Sequence, residues 1–148
     1  MKLLTSLFFA GSAALLAQPA LAQFAKPEQA IEYRKGALTV IGTHFGRIGA
    51  IVNGKAPFDA AVAQENADLV ALLAKLPWAG FGPGTEGGKA KDDVWKNPGA
   101  FKEASDKFTV AASKLSAAAK TGNLDALKAA FGDTAASCKS CHDNFRQK

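Results

Sequence analysis

The two cysteines of this 148-residue chain, Cys138 and Cys141, stand three positions apart and are followed at once by His142, in the stretch SCKSCHDNF. A helix turns roughly 100° per residue, so Cys138 lies one turn before both Cys141 and His142, and all three project toward one side. Two thiols so placed can form thioethers to the vinyl groups of a haem, while the neighbouring imidazole reaches its iron as an axial ligand. Three other readings compete. A redox-active dithiol calls for a βαβ setting with its first thiol at a helix N-terminus. A Cys₂His₂ zinc site needs two further histidines at short spacing, and only His44 remains. A disulfide across so short a loop would stabilise little and would leave His142 unexplained. Haem attachment accounts for all three residues.

The opposite face of the iron decides what such a centre does. Methionine is the usual sixth ligand of electron-carrying c-type haems, and the single methionine here is Met1. His44 lies six residues after Leu38, about 240° around a helix, and so falls off the face that Leu38 and Ile41 turn inward. It reads as a partly exposed surface histidine. A lysine would have to lose its proton before binding. The expectation is therefore five-coordinate iron facing hydrocarbon, with no constellation for general acid, general base or nucleophilic catalysis, and hence a binding protein rather than an enzyme.

These residues need an address and a scaffold. Lys2, the apolar run Leu3 to Leu16 and the small-residue pattern Ala20-Leu21-Ala22 predict a cleaved signal peptide over residues 1–22 and an exported protein, not a membrane-anchored one. Cleavage leaves 126 residues, 23–148, enough for one domain with a single core. Loss of Lys2 lowers the net charge from +5 to +4, and the charges are scattered singly, which argues against a nucleic-acid track.

Helical spacing recurs in four segments, and β-branched runs are scarce. The first opens at Pro27, carries Ile31, Leu38, Ile41, Phe45, Ile48 and Val52 inward, and stops at Asn53-Gly54. The second runs from about Pro57 to Leu76 with Phe58, Val62, Leu69, Leu72, Leu73 and Leu76 inward. A glycine-rich stretch, PWAGFGPGTEGGKAKDD, makes the one long connection and brings two large aromatics with it. The third helix spans about Pro98 to Lys120, with Phe101, Phe108 and Leu115 on one face. Asn123 can cap the fourth, in which Leu127, Phe131, Cys138, Cys141, His142 and Phe145 share a stripe. The pattern predicts an all-α, antiparallel four-helix bundle, up-down-up-down, with one long loop between helices two and three. Arg34 falls on the apolar stripe of the first helix, where a cation needs an anionic partner; a haem propionate fits, with an outward-snorkelling arginine as the alternative.

The CKSCH motif near the C-terminus, the segment EYRKGALTVIGTHFGR and the loop LPWAGFGPGTEGG together resemble cytochrome c′, the high-spin class II c-type cytochromes of the bacterial periplasm. The resemblance covers the whole of residues 23–148. It implies one covalently held haem c per chain, a homodimer, and binding of nitric oxide and carbon monoxide; a one-electron carrier with a periplasmic redox partner is the alternative. It places Leu38 over the open face of the haem, where bulk crowds an incoming diatomic. It places Trp78 and Phe81 along the same pocket, although Trp78 serves equally well as a plug for the end of the bundle. Arg146 resembles a basic residue on the proximal side, with a solvated C-terminal arginine as the plain alternative.

Overall fold

The computed structural model describes residues 23–148; the expected signal peptide, 1–22, lies outside the described residues. The helices are α1 (Pro27–Val52), α2 (Ala60–Leu73), a four-residue α3 (Asp93–Lys96), α4 (Pro98–Ala119) and α5 (Leu124–Phe145), with a 3₁₀ turn over Pro77–Phe81. The four long helices pack in a ring, α1 on α2, α2 on α4, α4 on α5 and α5 back on α1, which is the antiparallel bundle the sequence predicts. Among the described residues no helix is long and apolar enough to cross a membrane.

Side-chain chemistry sets the helix ends. Pro27 and Pro98 occupy first-turn positions, where a missing N–H costs nothing. The Asp59 carboxylate accepts hydrogen bonds from the Ala61 and Val62 amides, at 2.8 and 3.1 Å, and so starts α2 later than the sequence pattern suggests. Asn123 caps α5 as expected, its Oδ1 accepting from Asp125 and Ala126 at 2.9 and 3.0 Å. Gly54 ends the first helix with φ +69°, a left-handed backbone that favours glycine.

The core runs along the bundle through Ile41, Ile48 and Ile51 of α1, Ala63, Ala67 and Val70 of α2, Phe108, Ala112 and Leu115 of α4, and Leu127 of α5. Burying a side chain the size of Ile48, Leu115 or Leu127 stabilises the fold by about 1.5–3 kcal/mol. The inward face expected for α2 is corrected here. Ala63, Asn66, Ala67 and Val70 face the core, whereas Phe58, Val62, Leu72 and Leu76 are exposed and Leu69 and Leu73 are half-buried. Small side chains let α2 approach its neighbours closely, and that seam, not the leucines, defines its buried face.

Candidate haem-binding site

α5 packs extensively on α4 and far less on α1. Of the two helices that form the α1–α5 seam, α1 brings Leu38 and Phe45 against the core and α5 brings Phe131 and Cys138, all only partly buried. Phe45 and Phe131 stack across the seam with centroids 4.3 Å apart. Cys138 and Cys141 are free and half-buried, and burial raises both thiols above their ordinary values. A redox-active dithiol calls for its first thiol at a helix N-terminus, whereas both cysteines lie late in α5 of an all-helical arrangement.

His142 does not lie inward with the cysteines. It is exposed at the edge of the α5 stripe, in a cleft formed with Lys91, Asp143, Arg146 and Gln147. Desolvation on the packed side of its ring is the main cause that lowers its imidazole from the ordinary value, and the nearby Arg146 charge adds to it. Helix geometry explains the position, since His142 sits about 100° from Cys141 and therefore marks the margin of the stripe. Arg146 is exposed, but its backbone is fixed: Ala90 pairs with it in an isolated antiparallel bridge, the Gln147 amide donates to the Lys89 carbonyl at 2.8 Å, and the Lys91 amide donates to the Phe145 carbonyl at 2.9 Å.

His44 is half-buried, with Nδ1 2.9 Å from Asn66 Oδ1 of α2. It thus faces the α1–α2 seam, away from α5.

The long loop folds into an aromatic cluster. Phe81 lies 4.8 Å from Phe101, 6.3 Å from Trp78 and 6.4 Å from Trp95, and Phe101 meets Phe145 of α5 edge-on at 5.3 Å. Trp78 donates from Nε1 to the Ala74 carbonyl at 2.7 Å and packs edge-on against the buried Phe108. Trp95 was not foreseen from the sequence. The acidic pair before it, Asp92-Asp93, is the one local signal of the short helix that carries it.

Arg34 is buried, at 4% exposure. Its Nη1 donates to the Gly80 and Thr85 carbonyls at 2.6 and 2.7 Å, and its Nη2 donates to the Gly87 carbonyl at 2.7 Å. Three convergent carbonyl dipoles satisfy a buried cation much as a carboxylate would. Burial is the main influence on the guanidinium and lowers it, with Glu86 opposing.

Comparison with known proteins identifies the family. A family model described as Cytochrome C′ matches residues 29–146. The chain belongs to the cytochrome c′ family. A cytochrome c′ of Rubrivivax gelatinosus is 54% identical over 129 residues, covering 85% of this chain and all of that protein. A cytochrome c′ of Alcaligenes xylosoxydans xylosoxydans is 52% identical over 126 residues, covering 85% of this chain and 99% of that one. The solved nitric oxide complex of a leucine-to-alanine mutant of cytochrome c prime from Alcaligenes xylosoxidans superposes with a TM-score of 0.82 at 51% identity, covering 85% of this chain and 99% of that one. The cytochrome c′ family binds haem c, and the two half-buried cysteines beside an apolar seam fit its covalent attachment.

Proposed function

We propose that residues 23–148 form a periplasmic haem protein that binds nitric oxide and carbon monoxide and serves in nitric oxide handling, after removal of residues 1–22 as a signal peptide. Cys138 and Cys141 would hold haem c and His142 would hold its iron. When bound, that group supplies a ferrous centre able to take a diatomic gas. The observation that carries the reading is the composition of the α1–α5 seam: Leu38 and Phe45 of α1, and Phe131 on the cysteine-bearing helix, offer no lone pair to an iron. His44 is committed to Asn66 on the other side of α1, and no methionine occurs after residue 1. Gas binding is a binding event, with no proton transfer assigned to any side chain, and the reading is that of a non-enzyme.

The mature, haem-loaded protein should show a high-spin ferric spectrum and take up carbon monoxide when reduced, and Leu38→Ala should speed that uptake by about tenfold or more, as removal of a crowding side chain lowers an entry barrier. A low-spin, six-coordinate spectrum in both oxidation states would favour the one-electron carrier, and an unchanged rate would remove Leu38 from the distal face.

The homodimer rests on a separate surface. Val62 and Leu72 of α2 expose 45 and 65% of their area, Leu76 just beyond that helix exposes 41%, and Val40 of α1 exposes 45%. Exposed apolar side chains of this kind suit a second copy of the chain. Sedimentation of the wild type should give a dimer, and Leu72→Glu should shift it to the monomer mass. A wild-type monomer at micromolar concentration rejects the dimer.

A further inference from the structure

We propose that Arg34 is a positioning residue: it ties the loop over residues 80–87 to α1 and thereby sets how closely Phe81 approaches the helical turn that carries Leu38, without itself touching a ligand. The inference rests on the gas-binding reading above and assigns its access control to a side chain outside the ligand's reach.

The geometry is that of a tether. One planar fork spans three carbonyls that belong to different parts of the loop, Gly80 in the 3₁₀ turn and Thr85 and Gly87 beyond it. Its faces are used as well, since the guanidinium carbon lies 4.5 Å from the Phe81 ring centroid and 5.4 Å from that of Trp95. The loop closes on itself around this centre. The Thr85 hydroxyl donates to the Gly82 carbonyl at 2.7 Å, and Trp95 Nε1 donates to the same carbonyl at 3.0 Å. A β-carbon on Gly80 would come within 2.7 Å of the Ala30 carbonyl oxygen and 2.9 Å of Arg34 Cβ, so the turn lies directly on α1, one to two helical turns before Leu38. Arg34 therefore holds Phe81 by two routes, through the backbone of its neighbour Gly80 and through its own ring. A lysine has one compact ammonium and no planar face, so it can replace neither the span nor the stacking.

The decisive experiment uses the mature, haem-loaded protein in five forms: wild type, Arg34→Gln, Arg34→Lys, Phe81→Ala and the Arg34→Gln/Phe81→Ala pair. Amide hydrogen exchange and the rate of carbon monoxide binding to the ferrous form are measured for each. Arg34→Gln should speed exchange over residues 81–88 by about tenfold or more, the consequence of losing hydrogen bonds from a charged donor, while α2 and α4 amides keep their rates. Its carbon monoxide association should rise by a similar factor, with Arg34→Lys between the two. With Phe81 already truncated, changing Arg34 should alter the rate less than twofold, because the side chain it positions is gone. Unchanged exchange, an equal rate effect with and without Phe81, or a stability loss with no rate change overturns the proposal. Should Arg34→Gln fail to fold, the Arg34→Lys series carries the same comparisons. A wild type that takes up no carbon monoxide sinks the gas-binding reading instead, and the exchange data then decide the tether by themselves.

Discussion

Produced in a cell competent to attach haem, a chain with Cys138 and Cys141 both replaced by alanine should retain no haem on a denaturing gel, whereas the wild type should stain fully and each single variant should stain weakly. The two thiols sit one turn apart on α5 beside the α1–α5 seam, and the described residues include no other cysteine that could form a thioether. The fold itself should survive. Both thiols are half-buried at the edge of the core and not within it, so truncation to alanine costs only about 1 kcal/mol each, and far-ultraviolet circular dichroism should still report a helical bundle. Full haem staining of the double variant would refute the assignment of these residues, and loss of helicity in the apoprotein would show that the stripe carries more of the stability than its burial indicates.

Gly80→Ala should be the most damaging single methyl group in the molecule. The added carbon would lie 2.7 Å from the Ala30 carbonyl oxygen and 2.9 Å from Arg34 Cβ, both on the rigid body of α1 and neither at the end of a flexible side chain. The turn must move away, which stretches the 2.6 Å hydrogen bond from Arg34 to the Gly80 carbonyl. Overpacking together with a weakened charged hydrogen bond should cost about 3 kcal/mol, or roughly 10 °C in the midpoint of thermal unfolding for a domain of this size. Gly36→Ala is the matching control, since nothing lies within 4 Å of its β-carbon and it sits inside α1. There the same methyl should stabilise by about 0.5–1 kcal/mol. Equal midpoints for the two variants would contradict the close approach of loop to helix.

Most of the bundle was legible in the sequence because its helices announce their ends. Pro27, Asn53-Gly54, Pro98 and Asn123 each occupy the position their chemistry suits, and the structure places the corresponding helix ends within a residue or so of them. α2 was the exception. Its start depends on Asp59, a cap hidden behind the more conspicuous Pro57-Phe58, and its faces were misassigned because size was read as inwardness. In an alanine-rich helix the small residues mark the tight seam, and the large ones are free to serve another surface. At the site, the stripe of Cys138 and Cys141 followed from spacing alone. The surroundings of Arg34 did not, since its acceptors are main-chain carbonyls, which every residue has and no sequence pattern reveals. Trp95 was missed for a related reason: its place in the cluster depends on a three-dimensional path through a loop whose periodicity carries no signal.

The antiparallel bridge between Ala90 and Arg146 joins two points that enclose the entire α4–α5 hairpin, and Gln147 reinforces it by donating to the Ala90 carbonyl 57 positions away. Bringing such distant points together carries a large closure entropy until the intervening hairpin has folded and drawn them close. The clasp therefore assembles after the α4–α5 hairpin that it closes. The carboxyl-terminal end of α5, which bears His142, thus gains its final register only after α4 and α5 have paired.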